Sequence, residues 1–202
     1  MGMPKCMIEI EGRTVLSRLI SNLEPHVASI HVVVGYREEM VMEYCARHHR
    51  DVVLVRNPDY RTTNTAHSLS LGARHINGKV LYLDGDLLLC SRGLADFLEA
   101  ARSREILVGL TDAKSENAVF VRGEGSLESF RIDEFTRDVP DAYEWANVLA
   151  GPPDLLHGAQ GYVYERLAEH LPLEGRVLEL AEVDTPADLD AAKAFVRTRN
   201  DG

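Results

Sequence analysis

The sequence predicts an α/β domain, a Rossmann-like three-layer sandwich with a mostly parallel sheet and a small antiparallel hairpin insertion. Three observations predict it. Short apolar or β-branched runs alternate with stretches of helical period through the first half of the chain, the connections between them are short, and glycine, proline or asparagine marks most changes of period. Strands joined by helical crossovers lie parallel, with helices on both faces of the sheet. At 202 residues a single domain over 1–202 holds all of it, with the hairpin insertion at about 116–150.

Met7 to Ile10 reads as a short strand, and Glu11-Gly12 as its turn. Val15, Leu16, Leu19, Ile20 and Leu23 then form one apolar stripe of a helix, with Thr14 placed to cap it and Pro25 to end it. Ser29 to Val34 is a buried strand stopped by Gly35, and Val41, Tyr44 and Cys45 mark the inner face of a helix over 38–48. Val52 to Val55 is the next strand, Asn57-Pro58-Asp59 a turn, and Thr65 to His75 a helix burying Leu69 and Ala73. Val80 to Leu83 follows as a strand too short for a helix, ending in Asp84-Gly85-Asp86.

A helix over 91–102 and a strand over 106–110 continue the alternation. The character then changes: Ala118 to Val121 and Leu127 to Ile132, joined through Gly123-Glu124-Gly125, read as an antiparallel hairpin. A helix within Leu155 to Leu171 and a strand over Val177 to Val183 come next. The last helix opens with Thr185 as cap, Pro186 in the first helical position and Asp188 in the first turn, and runs to Thr198.

Composition excludes several functions. Lysine and arginine total 22 against 32 acids, a net charge of −10, which argues against a nucleic-acid surface. An anionic ligand must then be met by local cations, backbone N–H groups and metal rather than by the overall field. No apolar run is long enough for a membrane span, and Met1 to Lys5 shows no signal-peptide core, so a cytoplasmic location is expected. Cys6, Cys45 and Cys90 are odd in number and widely spaced, which suits reduced, inert thiols.

The chemistry centres on Asp84-Gly85-Asp86. Ligands of open α/β sheets bind outside the carboxyl ends of the strands, so these acids stand at the mouth of a site, where Mg²⁺ takes one or two carboxylates plus substrate phosphates. An Asp-Gly turn that merely closes the strand is the bland alternative.

Pro4-Lys5-Cys6-Met7, Glu11-Gly12-Arg13-Thr14, Gly35-Tyr36, Asn57-Pro58-Asp59-Tyr60, Thr63-Asn64 with Ser68-Leu69, Gly85-Asp86 and Val183-Asp184-Thr185-Pro186 together resemble the sugar-phosphate nucleotidyltransferase-like superfamily, MobA-like NTP transferases included. Within it they are most similar to the cytidylyltransferases for phosphocholine, inositol phosphate and phosphonates. The resemblance covers nearly the whole chain. It implies a Mg²⁺-dependent transfer of a nucleoside monophosphate, with CTP favoured, to a small phosphorylated or phosphonate acceptor, releasing pyrophosphate. By the same resemblance Lys5 contacts nucleotide phosphates, Asp86 and Asp184 hold the metal, and Thr63, Asn64, Ser68 and Gly85 meet the nucleotide. Glu144 and Trp145 line the acceptor side, with Asn147 where glycine is usual, and Arg131 and Arg137 are the cations offered to the acceptor phosphate. A homodimer is compatible with it.

One departure matters. The superfamily opens with a strand and a glycine-rich loop about ten residues ahead of Pro-Lys, whereas Pro4-Lys5 follows Met1-Gly2-Met3 directly. The loop's N–H groups wrap the triphosphate, so a shortened enzyme with impaired turnover is expected, and the missing strand would lie centrally in the sheet. Rival readings are a metal-dependent glycosyltransferase using Asp84-Gly85-Asp86, an aspartyl-phosphate phosphatase, and a noncatalytic nucleotide-binding relative.

Overall fold

The computed structural model describes residues 2–114, 118–183 and 188–199. In chain order the elements are β1 (Glu9–Ile10), β2 (Arg13–Thr14), α1 (Val15–Leu23), β3 (His31–Val34), α2 (Glu38–His48), β4 (Val53–Arg56), α3 (Thr65–Gly72), β5 (Val80–Leu83), β6 (Leu87–Leu89), α4 (Ser91–Ala101), β7 (Leu107–Asp112), β8 (Phe120–Gly125), β9 (Phe130–Thr136), β10 (Tyr143–Gly151), α5 (Val163–Ala168), β11 (Leu173–Val177), β12 (Leu180–Glu182) and α6 (Asp188–Arg199). A short 3-10 turn, Lys5–Met7, precedes β1. No helix among the described residues is long and apolar enough to cross a membrane.

The first half folds as its periodicity requires. Thr14 caps α1, its hydroxyl accepting from the Ser17 N–H at 3.0 Å, and the apolar stripe Leu16, Leu19, Ile20 and Leu23 is buried. β3 and β4 pair in parallel around α2. β5 stands at the end of a six-stranded sheet in the order β5-β10-β7-β11-β9-β8, and β3-β4 form a separate pair.

Direction within the sheet follows from the pairings. β10 is antiparallel to both β5 and β7, and β7 is parallel to β11, so β5, β7 and β11 run one way with β10 threaded between them in reverse. The helical crossovers through α2 and α3 give β3, β4 and β5 that same direction. The sheet is therefore mostly parallel in strand direction but mixed in pairing.

The second half departs from the expected boundaries. Residues 143–151 do not belong to an inserted hairpin: β10 is an integral strand. The hairpin itself is β8-β9, and its turn lies at Ser126–Ser129 rather than at the glycines, with the Ser126 N–H donating to Ser129 O at 2.9 Å. Gly123 and Gly125 sit within the strand. A Cβ on Gly123 would stand 1.8 Å from Arg131 O, beside the register shift after Arg122, so these glycines serve close strand approach and not the turn. The helix expected within 155–171 shrinks to α5, because Gly158, at φ 72°, and the turns before it break the period. Of the strand expected over 177–183 only β12 and Val177 are strand: β11 begins at Leu173, ahead of the expected range, buried Leu178 donates its N–H to Leu110 O at 2.7 Å, and the chain then crosses to pair with β6.

Two apolar layers flank β5. Leu81 and Leu83 pack with Leu19, Leu23, Leu94 and Phe97 on one face, and Val80 and Tyr82 pack with Ala66, Leu69 and Ala73 on the other. This is the burial on both faces that continuous apolar strands require.

Candidate active site

The carboxyl ends of β3, β4 and β5 gather the predicted residues. The turn carrying Lys5 lies over the end of β5, so that Lys5 Nζ stands 3.9 Å from Asp86 Oδ2, and a Cβ on Gly85 would meet Cys6 Cβ at 4.0 Å. The pair is partly solvated, with Lys5 half exposed and Asp86 about a quarter exposed. Burial, helped by the charge of Asp86, pushes the Cys6 thiol up to about 11, which keeps it protonated and un-nucleophilic at neutral pH.

Thr63, Asn64 and Ser68 surround the N-terminus of α3. Asn64 caps the helix, its side-chain oxygen accepting from the His67 N–H at 3.4 Å, while its amide donates to Gln160 O at 2.9 Å and also to Gly161 O. Asn64 thus ties α3 to the segment that bears Tyr162. Thr63 and Ser68 are organised by a residue the sequence reading placed in a turn and in the family motif but not among the site residues. Asn57, almost wholly buried, donates to Thr63 Oγ1 and to Ser68 Oγ, each at 3.0 Å, and accepts from the Asp59 N–H at 3.0 Å. The signal was present: an asparagine at a strand end before proline, where a side-chain amide closes a turn on its own backbone.

Two cavities meet here. The larger, about 1430 Å³, runs between β3 and β5, apolar along its middle and polar at both ends, and its carboxyl-end mouth holds Tyr60, Thr63, Asn64, Ser68, Asp84 and Gly85. The smaller, about 240 Å³, is lined by Asp84, Arg137, Glu144, Trp145, Tyr162 and Glu182 among others. Thr65, Asp84 and Tyr162 border both. Asp84, named at the strand end but not among the metal or binding residues, is therefore the acid at the junction.

The acceptor-side residues divide. Arg137, Glu144 and Trp145 come together at the smaller cavity, where the Arg137 guanidinium lies 4.7 Å from the Tyr162 ring centroid and 5.2 Å from that of Tyr164. Trp145 Nε1 is buried with no hydrogen-bond partner among the described residues, a donor that a ligand oxygen would satisfy. Glu144 accepts from the Lys114 N–H at 3.1 Å, and Asn147, at φ 54°, donates to Glu182 Oε1 at 3.2 Å. Arg131 is placed elsewhere. Strand alternation buries Phe130 and Ile132 and turns Arg131 outward, 3.1 Å from Asp133 and lining neither cavity, so it does not join the acceptor cations.

The metal expectation rests on Asp86 and Asp184. Asp184 lies outside the described residues, as do Thr185 and Pro186. Among the described residues no three His, Cys, Asp or Glu side chains form a metal cage. The oxygen donors at the end of β5 still suit Mg²⁺, which keeps several waters and takes only one or two carboxylates.

A site at carboxyl strand ends, with a helix N-terminus and a lysine beside it, is the arrangement of nucleotide-handling α/β proteins. The chain belongs to the MobA-like NTP transferase domain family, whose profile matches residues 1–139. It is 27% identical over 182 residues to the bifunctional protein GlmU of Methanococcus vannielii, an alignment covering 89% of this chain and 41% of that protein. The chain thus spans less than half the length of this curated relative. Its fold is also that of a UDP-glucose pyrophosphorylase complexed with UDP-glucose, with TM-score 0.80, 12% identity and coverage of 98% of this chain and 92% of the other. The inositol-1-phosphate CTP transferase from T. maritima superposes with TM-score 0.74 at 16% identity, covering 99% of this chain and 89% of that one.

Proposed function

We propose that the chain is a Mg²⁺-dependent nucleotidyltransferase that moves a nucleoside monophosphate, cytidylyl in preference, onto a small phosphorylated or phosphonate acceptor. The observation that carries the reading is the meeting of two cavities at Asp84, one bounded by Thr63, Asn64 and Ser68 and the other by Arg137, Glu144 and Trp145. Two substrates held in adjoining pockets gain the positional advantage on which phosphoryl and nucleotidyl transfer depends.

In this reading the acceptor's phosphate or phosphonate oxygen attacks the α-phosphorus, a new P–O bond forms, and the bond to the β-phosphate breaks to release pyrophosphate. Lys5 neutralises charge on the nucleotide phosphates and Arg137, held by its two tyrosines, neutralises charge on the acceptor. Thr63, Asn64 and Ser68 face the nucleoside, with Asn57 setting the two hydroxyls. Asp86, together with Asp184, would hold Mg²⁺, which when bound supplies charge neutralisation on the transferring phosphate. No protein nucleophile is needed. Cytidine is favoured by the motif resemblance and by the name of the T. maritima neighbour, while the UDP-glucose neighbour makes the base the point to test.

The test is a pyrophosphate-release assay with Mg²⁺ and each of the four nucleoside triphosphates, crossed with phosphocholine, inositol phosphate and a small alkyl phosphonate. Release that needs both an acceptor and CTP is the expected result. Free nucleoside diphosphate formed from a nucleotide sugar, with no pyrophosphate from any pair, would overturn the reading in favour of a glycosyltransferase.

A further inference from the structure

β10 is not regular along its length. Its register with β7 shifts between Trp145 and Leu149, so that Ala146, Asn147 and Val148 stand opposite Gly109 alone. Gly109 makes the room, since a Cβ there would meet Val148 Cβ at 2.9 Å and Val148 O at 3.1 Å. Ala146 and Val148 are buried with Leu94 and Phe97, and Asn147 between them takes φ 54°. That conformation favours glycine, and asparagine occupies it only at some cost. Bulges beside a site re-aim side chains, and a left-handed residue other than glycine points to a function for its side chain.

Asn147 has two partners, both at the smaller cavity. Its carbonyl accepts from the Asp84 N–H at 3.4 Å, which sets the bulge against the end of β5, and its Nδ2 donates to Glu182 Oε1 at 3.2 Å. Asp84, Asn147 and Glu182 all line that cavity. β12, which carries Glu182, has three residues and pairs with β6 alone among the described residues, so the Asn147 amide ties Glu182 to the central sheet. Glycine at this position would serve the backbone equally and make no such tie.

The tie gives this stretch of wall a polarity. An amide that donates to Glu182 turns its own Oδ1 away from it, and a carboxylate has about four lone-pair directions, more than one amide donor fills. The wall therefore accepts hydrogen bonds. The aromatic side of the cavity is engaged differently: the rings of Tyr162 and Tyr164 carry the Arg137 guanidinium at 4.7 and 5.2 Å, which leaves Trp145 as the remaining ring among the described residues that line it. A quaternary ammonium is recognised by several aromatic faces set around it, and this cavity does not offer them. Its volume, about 240 Å³, falls below the about 300–1,000 Å³ of drug-sized pockets and suits a short molecule.

We propose that Asn147 is the positioning residue for acceptor choice. By holding Glu182 on the cavity wall it selects short phosphates or phosphonates whose far end donates hydrogen, a hydroxyl or a primary ammonium, over those whose far end is alkyl or fully methylated. The inference rests on the proposed function only in taking this cavity as the acceptor's.

The experiment is calorimetric titration with aminoethyl phosphate, hydroxyethyl phosphate, propyl phosphate and phosphocholine, each with Mg²⁺. The titrated proteins are the unaltered chain, Asn147→Gly and Glu182→Gln, and pyrophosphate release with CTP is read on the same samples. The unaltered chain should bind the first two phosphates at least about tenfold more tightly than the last two, as hydrogen bonds to a charged group require. Propyl phosphate matches aminoethyl phosphate in shape, so bulk does not account for that difference. Asn147→Gly keeps the left-handed backbone and should bring the four affinities within about threefold of one another, and Glu182→Gln should do the same. A residue that serves only the bulge would leave the ranking intact in Asn147→Gly, and that result overturns the proposal. Equal affinities in the unaltered chain, or no binding of any of the four, also overturn it. If pyrophosphate is released all the same, the transferase reading stands without it, whereas the expected ranking with no pyrophosphate from any pair supports the role of Asn147 and overturns the transferase reading.

Discussion

Replacing Asn57 with alanine tests whether one buried amide organises the nucleotide end of the site. Its side chain makes three hydrogen bonds, to Thr63 Oγ1, Ser68 Oγ and the Asp59 N–H, all at 3.0 Å. Each is worth about 1 kcal/mol net, and the three partners lie close enough to the cavity mouth for water to solvate them after truncation, so the larger penalty for stranded buried groups does not apply. The sum is about 3 kcal/mol. For a domain of about 150–250 residues 1 kcal/mol moves Tm by about 2–4 °C, so Asn57→Ala should lower Tm by about 6–12 °C in a calorimetric scan. Ser68→Ala removes one of the same bonds and should cost about 2–4 °C. Because the two share that bond, the double variant should lose less than the sum of the singles. A fall of under about 2 °C for Asn57→Ala, or strict additivity in the double variant, would refute the claim that Asn57 holds these hydroxyls.

Lys5→Met should reduce kcat/KM for the nucleotide by about 10–150-fold, the equivalent of a charge-assisted hydrogen bond of about 1.5–3 kcal/mol, in a steady-state pyrophosphate assay. Its Tm should move by under about 2 °C, since a half-exposed pair contributes little to stability. Trp145→Phe removes an unpartnered buried N–H and keeps an aromatic ring, so Tm should barely change while KM for the acceptor rises about tenfold and KM for the nucleotide does not. Equal losses on both substrates would remove Trp145 from the acceptor cavity. Burial depresses the His49 pKa, against the partial support of Glu24 at 3.8 Å. The unfolded chain therefore binds the proton more readily, and the contribution of His49 to stability is whole above the unfolded value of about 6.5 and is lost as pH falls through the lower folded value. His49→Gln, which can keep the 2.9 Å contact with Ser17 Oγ, should flatten the fall in Tm between pH 7 and pH 5. An unaltered slope would place the titration elsewhere.

Local patterns were legible where one side of the chain alone decides the structure. α2 has the limits its apolar stripe implies, and Thr14 caps α1 because a hydroxyl three residues ahead of a free N–H needs nothing distant to act. β10 was misplaced for the opposite reason. Its residues read as part of a hairpin insertion, and only the vacant edges of β5 and β7, about 60 and 30 residues earlier in the chain, draw it into the middle of the sheet. The glycines of the hairpin misled because a glycine marks both a turn and a close strand contact, and its neighbours in space decide which. Arg131 and Arg137 show the same limit within the site. Both are arginines near a strand, but alternation points one to solvent, and two tyrosines from a later segment hold the other at the cavity.

The junction at Asp84 gives these differences a common physical basis. A chain of net charge −10 has no general attraction for a triphosphate, so recognition falls to groups fixed at the strand ends. Fixing them requires ties across the chain. Just past β4, Asn57 holds the hydroxyls of Thr63, ahead of α3, and Ser68, within it, and Asn64 binds α3 to the carbonyls of Gln160 and Gly161. The next residue, Tyr162, borders both cavities and stacks against Arg137. A shift of α3 would therefore move Thr63 and Ser68 at the larger cavity and Arg137 at the smaller one together. In this geometry Asn64 is a coupling residue as well as a helix cap, which is why its two donor bonds reach nearly a hundred residues along the chain while its capping bond reaches three.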